Sequence, residues 1–385
     1  MFEWVHYQFP ARIFIEKNAT HKIGTLVKEV GSRALLVALK SEMSNPDELA
    51  VIKTSLDKYT SGCILYDDMA SRPGNKELDT AAHFAKQSRA DIIIGYGGRD
   101  SFHAAKAIAL LCKNDVFAED LPHTALPLKR APLPVAQVPA APSMGEETSP
   151  VFSVYNRETR SAFFSQDYRL FPAIIFVDPN ITSTLSKGEL SRAGAANVAA
   201  AVESILSRRA NDITTSIALR SLDLVQKNLQ QVMKEPGNMA ARTNVSLASV
   251  LCGMAHSNSM LGLCYSIASA TSLLTGLEFH LAMALLLPHV MEYNLTTSAG
   301  RYVQIARALD EDIKDITVIE AAIKAVEGVR KTYLELKIPQ RLSEFEIAKE
   351  DLPEIAELAF RIPMVKNSPR DLDKNEIETI LIAAY

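Results

Sequence analysis

The chain has 385 residues, 48% of them hydrophobic, enough to build two separate cores, so two domains are expected. A formal net charge of -4, with no basic stripe able to neutralise a run of phosphates, excludes nucleic acid as a partner. Cys63, Cys112, Cys252 and Cys264 fall at no paired spacing, which argues against a disulfide framework or a cysteine zinc site and fits a reducing cytoplasm.

Met1 to Lys17 mixes apolar, aromatic and charged residues without the continuous apolar core of a secretory leader, so a cytoplasmic protein is expected. From Ala11 to about Pro179, short β-branched runs (Arg12–Ile15, Ala34–Leu39, Cys63–Tyr66, Asp91–Ile94, Pro134–Val138 and Ala173–Val177) alternate with amphipathic segments (Ile23–Val30, Asn45–Lys58, Asn75–Gln87 and Phe102–Lys113). Apolar residues at three- and four-residue spacing in those segments lay one oily stripe against a sheet, and the alternation predicts a parallel one. Pro122 to Pro150 holds seven prolines and reads as an ordered loop region around one strand at Val135–Val138.

After Asp178-Pro179 the texture changes to long Ala/Leu/Ser-rich helical patterns, with breaks expected near Pro236-Gly237, Pro288, Pro339, Pro353 and Pro363 and no further strand. Ser246 to Val290 is the most apolar stretch, yet His256, Asn258, Glu278, His280 and many hydroxyl residues interrupt it, so it reads as buried helix rather than a membrane span. The boundaries drawn are 1–180 for an α/β domain and 181–385 for an all-helical domain.

Several passages in the same order resemble the iron-dependent (group III) alcohol dehydrogenases, relatives of glycerol dehydrogenase and dehydroquinate synthase. They are Phe9–Phe14 with the strand to Leu39, Asp91–Asp100 with Ala104–Ala109, Val138-Pro139 to Thr148, Val177–Thr182, Leu285–Asn294, and Asn367-Ser368-Pro369-Arg370 with the closing helix. The resemblance implies a Rossmann-like dinucleotide-binding domain followed by a helical domain, a cleft between them, NAD(P) as cofactor, a small alcohol, aldehyde or oxo-acid as substrate, and a homodimer.

In that family a divalent iron or zinc polarises the substrate oxygen and is held by one Asp and three His. Carried over residue by residue, those ligand positions fall on Ala196, Ala200, Tyr265 and Phe279, with His280 one residue beyond the last. An alanine side chain has no lone pair to offer, so no tightly bound iron or zinc is expected.

The phosphate loops differ as well. Gly97 and Gly98 remain, while Arg99 and Asp100 stand where the family has Gly and Ser, and His103 where it has Asp; Glu146 replaces a small hydroxyl in the second loop, which also carries Pro139 and Gly145. Leu39 stands near the position of an acid for the adenosine ribose, so an NAD preference is not indicated. Lys106 matches the family's loop-helix lysine and reads either as lining the cleft or as a solvated helix lysine.

Tyr265 and His280 are the candidate proton donors for a metal-free carbonyl reductase, each weighed against a plain role in the core. His256, read on the same helix as Tyr265, and His289 are taken as packing residues. The alternative to an enzyme is a catalytically silent protein that keeps the fold to bind a nucleotide or a partner. A further alternative, a different metal held by Glu203, His256 and His280, ranks last.

Overall fold

The protein is described from a computed structural model covering residues 5–42, 46–123, 129–156, 158–159 and 161–385. Residues cluster into two compact units.

The α/β unit comprises Phe9–Ala141 and Glu146–Leu185. It contains β1 (Arg12–Ile15), α1 (Ile23–Val27), β2 (Ala34–Ala38), α2 (Pro46–Tyr59), β3 (Cys63–Tyr66), α3 (Asn75–Gln87), β4 (Ile92–Gly97), α4 (Arg99–Lys113), β5 (Val135–Pro139), β6 (Val151–Asn156), β7 (Ser161–Gln166) and β8 (Ile174–Val177). Six strands form one parallel sheet in the order β1-β8-β5-β4-β2-β3. Alternate residues serve opposite faces. Leu35, Val37 and Ile93 pack with α3 and α4, whereas Leu36, Ala38, Ile92 and Ile94 pack with α1 and α2. Apolar cover on both faces explains why β2 and β4 read as continuous apolar runs instead of alternating ones.

Two elements depart from the expectation. The α4 helix begins at Arg99, three residues before Phe102, because Gly98 in extended geometry acts as its N-cap. The antiparallel hairpin β6–β7 was not anticipated, although Val151–Asn156 and Ser161–Gln166 carry the β-branched and aromatic residues of strands.

The helical unit comprises Ser186–Tyr385 together with Pro142–Gly145 and a short N-terminal piece ending at Gln8. The composition change at Pro179 therefore lies a few residues before the division, and two earlier stretches of chain belong with the helices. The elements are α5 (Lys187–Leu206), α6 (Asp212–Lys234), α7 (Met239–Ser259), α8 (Leu263–Thr275), α9 (Phe279–Asn294), α10 (Ala299–Ala308), α11 (Val318–Glu335), α12 (Leu352–Arg361) and α13 (Lys374–Ala384). No strand occurs among its described residues. The break expected at Pro288 is absent: α9 runs through it, held by the buried Leu285, Leu286, Leu287, Val290 and Met291.

Conversely, the helix expected to carry both His256 and Tyr265 is two helices. The chain reaches φ +58 at Met260, and α7 and α8 meet at 104°. Among the described residues no single helix is long and apolar enough to cross a membrane.

Candidate active site

In the α/β unit, β4 delivers the glycine pair to the start of α4. Gly97 has φ +131, a conformation that disfavours a side chain, and its carbonyl accepts the Ala140 N–H at 2.8 Å from beyond the end of β5. Pro139 pairs with Gly97 in the sheet register. Leu39 is wholly buried, and its N–H donates to Ser101 Oγ at 3.2 Å.

Arg99 and Asp100 occupy the first turn of α4, where the partial positive charge of a helix N-terminus attracts anions. The Arg99 side chain is 12% exposed and that of Glu146 8%, and Arg99 Nε lies 3.7 Å from Glu146 Oε1. Asp100 lies 3.5 Å from the same guanidinium and accepts the Arg72 N–H at 3.0 Å.

One turn along, His103 Nδ1 is 2.8 Å from Ser153 Oγ on β6. Burial, and then the charges of Arg99 and Lys106, hold its pKa well below the ordinary value. Lys106 is neither solvated nor set in an open groove. It is wholly buried and donates to the Glu146 and Val151 carbonyls at 3.1 and 3.2 Å. Burial pulls its pKa down to about 7 against the attraction of Glu146 and Glu147.

In the helical unit, Gly145 has φ +81 and lies so close to α7 that an added Cβ would stand 2.1 Å from the Ser249 carbonyl oxygen. Asn197 Nδ2 on α5 donates to the Ser143 carbonyl at 2.7 Å, and His256 Nε2 on α7 lies 3.0 Å from the Met144 carbonyl. This part of the second loop is thus pinned to helices by side chains. His256 has a structural partner there.

The four positions assigned to metal ligands by resemblance lie on α5, α8 and α9. Ala196 and Ala200 are fully buried on α5, while the Tyr265 and Phe279 rings pack edge to face with centroids 5.3 Å apart. Two methyl groups, a phenyl ring and a phenol do not make the donor set of a divalent cation. Among the described residues no three His, Cys, Asp or Glu side chains group to hold a metal ion. Glu203, His256 and His280 do not come together as ligands: the Glu203 carboxylate caps α8, accepting the N–H groups of Gly262, Cys264 and Tyr265 at 3.3, 2.6 and 3.0 Å.

His280 makes a different pair. Its Nδ1 is 3.0 Å from Glu278 Oε1, and Glu278 also caps α9 by accepting the His280 and Leu281 N–H groups, both at 2.9 Å. Burial would raise the Glu278 carboxyl, but His280 and these N–H groups outweigh it and hold the pKa at about 2. The His280 side chain is 22% exposed. Next to this pair, Arg192, Glu278 and Leu281 line a cavity of about 460 Å³. A second, of about 500 Å³, shares Arg192 and Leu281 and adds Lys187, Lys234 and Lys337.

The Glu203 cap, the Asn197 clamp and the Arg99–Glu146 pair were not read from sequence. The available signal was a polar or charged residue inside an otherwise apolar helix, as with Asn197 and Glu203 in the Ala-rich run of α5.

Residues 10–179 match the profile of the iron-containing alcohol dehydrogenases, and residues 194–385 match the C-terminal profile of the Fe-containing alcohol dehydrogenase family. The chain is 25% identical to a 1,3-propanediol dehydrogenase of Klebsiella pneumoniae over 98% of each chain. It is 21% identical to an NAD-dependent methanol dehydrogenase of Bacillus methanolicus, again over 98% of each. A crystal structure of a 1,3-propanediol oxidoreductase superposes with a TM-score of 0.93 at 25% identity, covering 100% of both chains. With both profiles matched in order and the fold shared from end to end, the chain belongs to the iron-containing alcohol dehydrogenase family.

Proposed function

We propose that the protein is an NAD(P)-linked oxidoreductase that interconverts a small carbonyl compound and its alcohol without the divalent metal typical of the family. Family membership and the similarity to an NAD-dependent relative support the cofactor. The chemistry of Ala196, Ala200, Tyr265 and Phe279 supports working without a metal. When bound, the nicotinamide supplies or accepts the hydride. What remains for the protein is to position the carbonyl and give its oxygen a proton.

The observation that carries the reading is the His280–Glu278 pair. A carboxylate 3.0 Å from Nδ1 favours the imidazolium, and the ring is partly exposed at the start of α9. His280 is accordingly the proton donor, and Tyr265, 5% exposed against Phe279, is the second candidate. Arg192, with Lys187, Lys234 and Lys337 in the adjoining cavity, favours an oxo-acid over a neutral aldehyde.

The test is a steady-state screen of aldehydes and oxo-acids with NADH and NADPH, repeated with His280→Gln and Tyr265→Phe. Turnover of an oxo-acid that falls 10²–10⁴-fold in His280→Gln, the usual size of a general-acid contribution, is expected. No nicotinamide oxidation with any substrate would defeat the reading. A second reading, a catalytically silent member of the fold, is favoured by the Glu146 carboxylate beside the first turn of α4, and it gains if neither nucleotide binds.

A further inference from the structure

We propose that a small cavity between α5, α9 and the stretch of chain leading to α13 binds one ordered water molecule, held by Asn294 Oδ1, Ser368 Oγ and the Glu203 carboxylate. Two passages that the oxidoreductase reading leaves without a role, Leu285–Asn294 and Asn367-Ser368-Pro369-Arg370, meet at this cavity, and the water does not depend on that reading.

The two passages also touch directly. Arg370 Nη1 donates to the Tyr293 carbonyl at 3.2 Å, and its guanidinium lies 4.5 Å from the centre of the Tyr293 ring. Asn294 is 1% exposed and Ser368 2%, yet neither Asn294 Oδ1 nor Ser368 Oγ makes a hydrogen bond to a described residue. Polar atoms buried this deeply nearly always pair with protein or with ordered water. Both residues line a cavity of about 10 Å³, room for a single water.

Glu203 lines the same cavity. Of about four lone-pair positions on a carboxylate, Oε2 uses two on the Gly262 and Tyr265 N–H groups, while Oε1 accepts only that of Cys264. One position on Oε1 is left. Gly262 keeps the adjoining space clear, since a Cβ there would stand 3.3 Å from Glu203 Oε1 and 3.5 Å from the Ser368 nitrogen.

A water that donates to Glu203 Oε1 and Asn294 Oδ1 and accepts the Ser368 hydroxyl makes about three hydrogen bonds, the usual number for a buried one. Three side-chain oxygens fall well short of the roughly six to eight that a calcium ion takes, so the ligand is water rather than a cation. The water then fastens the stretch before α13 to the end of α9 and to the carboxylate that caps α8.

The test is a crystal structure of the full-length wild-type protein at about 1.5 Å resolution. A density peak within about 2.5–3.2 Å of Asn294 Oδ1, Ser368 Oγ and Glu203 Oε1, the range of hydrogen bonds, is expected. It should be lost in Ser368→Val, whose larger apolar side chain fills the cavity. A blank cavity in the wild type, or a direct bond between Asn294 and Ser368, overturns the proposal. So does a peak closer than about 2.5 Å, which would be a metal cation. In solution, urea unfolding of Ser368→Ala, Asn294→Ala and the double variant gives a second reading. If one water serves both side chains, the midpoint shift of the double variant should be clearly smaller than the two single shifts together. Additive shifts would mean that no shared water joins them, and would overturn the proposal as well.

Discussion

The backbone N–H of Cys264 donates to Glu203 Oε1 at 2.6 Å, joining residues 61 positions apart. With the Tyr265 and Gly262 N–H groups on the other oxygen, the carboxylate of α5 supplies the cap that Gly262, lacking a side chain, cannot give to α8. Glu203→Ala leaves three buried donors without acceptors, at about 1–3 kcal/mol each, so a loss of about 4 kcal/mol is expected. Glu203→Gln, keeping one acceptor oxygen, should lose about half of that. Urea unfolding followed by far-UV circular dichroism measures both, and a loss under about 1 kcal/mol for the alanine variant would contradict the capping role.

Glu203 and Lys106 should tilt stability with pH in opposite directions. Burial raises the Glu203 carboxyl from 4.5 to about 7, so the folded state holds the proton more tightly than the unfolded chain. The stability this group contributes is complete below 4.5 and is lost as pH rises to about 7. Burial lowers Lys106 from 10.5 to about 7, so its contribution is complete above 10.5 and is lost as pH falls to about 7. Relative to wild type, Glu203→Gln should flatten the acid-side slope and Lys106→Met the alkaline-side slope. Unfolding midpoints collected across pH would refute the assignment if either variant kept the wild-type slope in its own window.

Much of the fold was legible because the signals were local. The strands over Arg12–Ile15 and Cys63–Tyr66 and the helix over Asn75–Gln87 coincide with the expected residues. The turn at Met260 was not legible, because a non-glycine residue at φ +58 leaves no mark in composition. Pro288 misled for the reverse reason: a helix-breaking residue was overruled by burial around it. At the site, Ala196, Ala200, Tyr265 and Phe279, the positions that the resemblance assigns to metal ligands, were visible one at a time. The meeting of Arg99 with Glu146, and of Glu203 with three N–H groups of another helix, depends on tertiary placement that no window of sequence contains.

Gly145→Ala should be among the more damaging single-methyl additions. The residue is at φ +81, and a Cβ there would stand 2.1 Å from the Ser249 oxygen and 2.5 Å from the Gly253 nitrogen, both backbone atoms with little room to yield. Relief by movement would strain the Ser143–Asn197 and Met144–His256 hydrogen bonds. A loss of about 2–4 kcal/mol is expected from a strained φ and a backbone clash together. An unchanged melting temperature would show that the loop is held less firmly than described.

Metal uptake gives a prediction with two arms. Dialysed against zinc or ferrous ion, the wild-type protein should retain well under one equivalent per chain by elemental analysis. Ala196→Asp, Ala200→His, Tyr265→His and Phe279→His combined should retain about one, since this supplies three imidazoles and a carboxylate. Stoichiometric metal on the wild type would mean that residues outside these four positions bind it.

The helical unit is composed of three separate stretches of chain. Its first two portions leave the ribosome well before α5, and β8, the last strand of the sheet, is complete at Val177 before the bulk of the helices is translated. A fragment beginning at Ser186 would leave Asn197 without the Ser143 carbonyl, His256 without that of Met144, and Asn258 without both backbone bonds to Gln8. The composition change near Pro179 therefore looks like a place to divide the gene, yet cutting there would separate the helices from two stretches of chain to which their side chains are bonded.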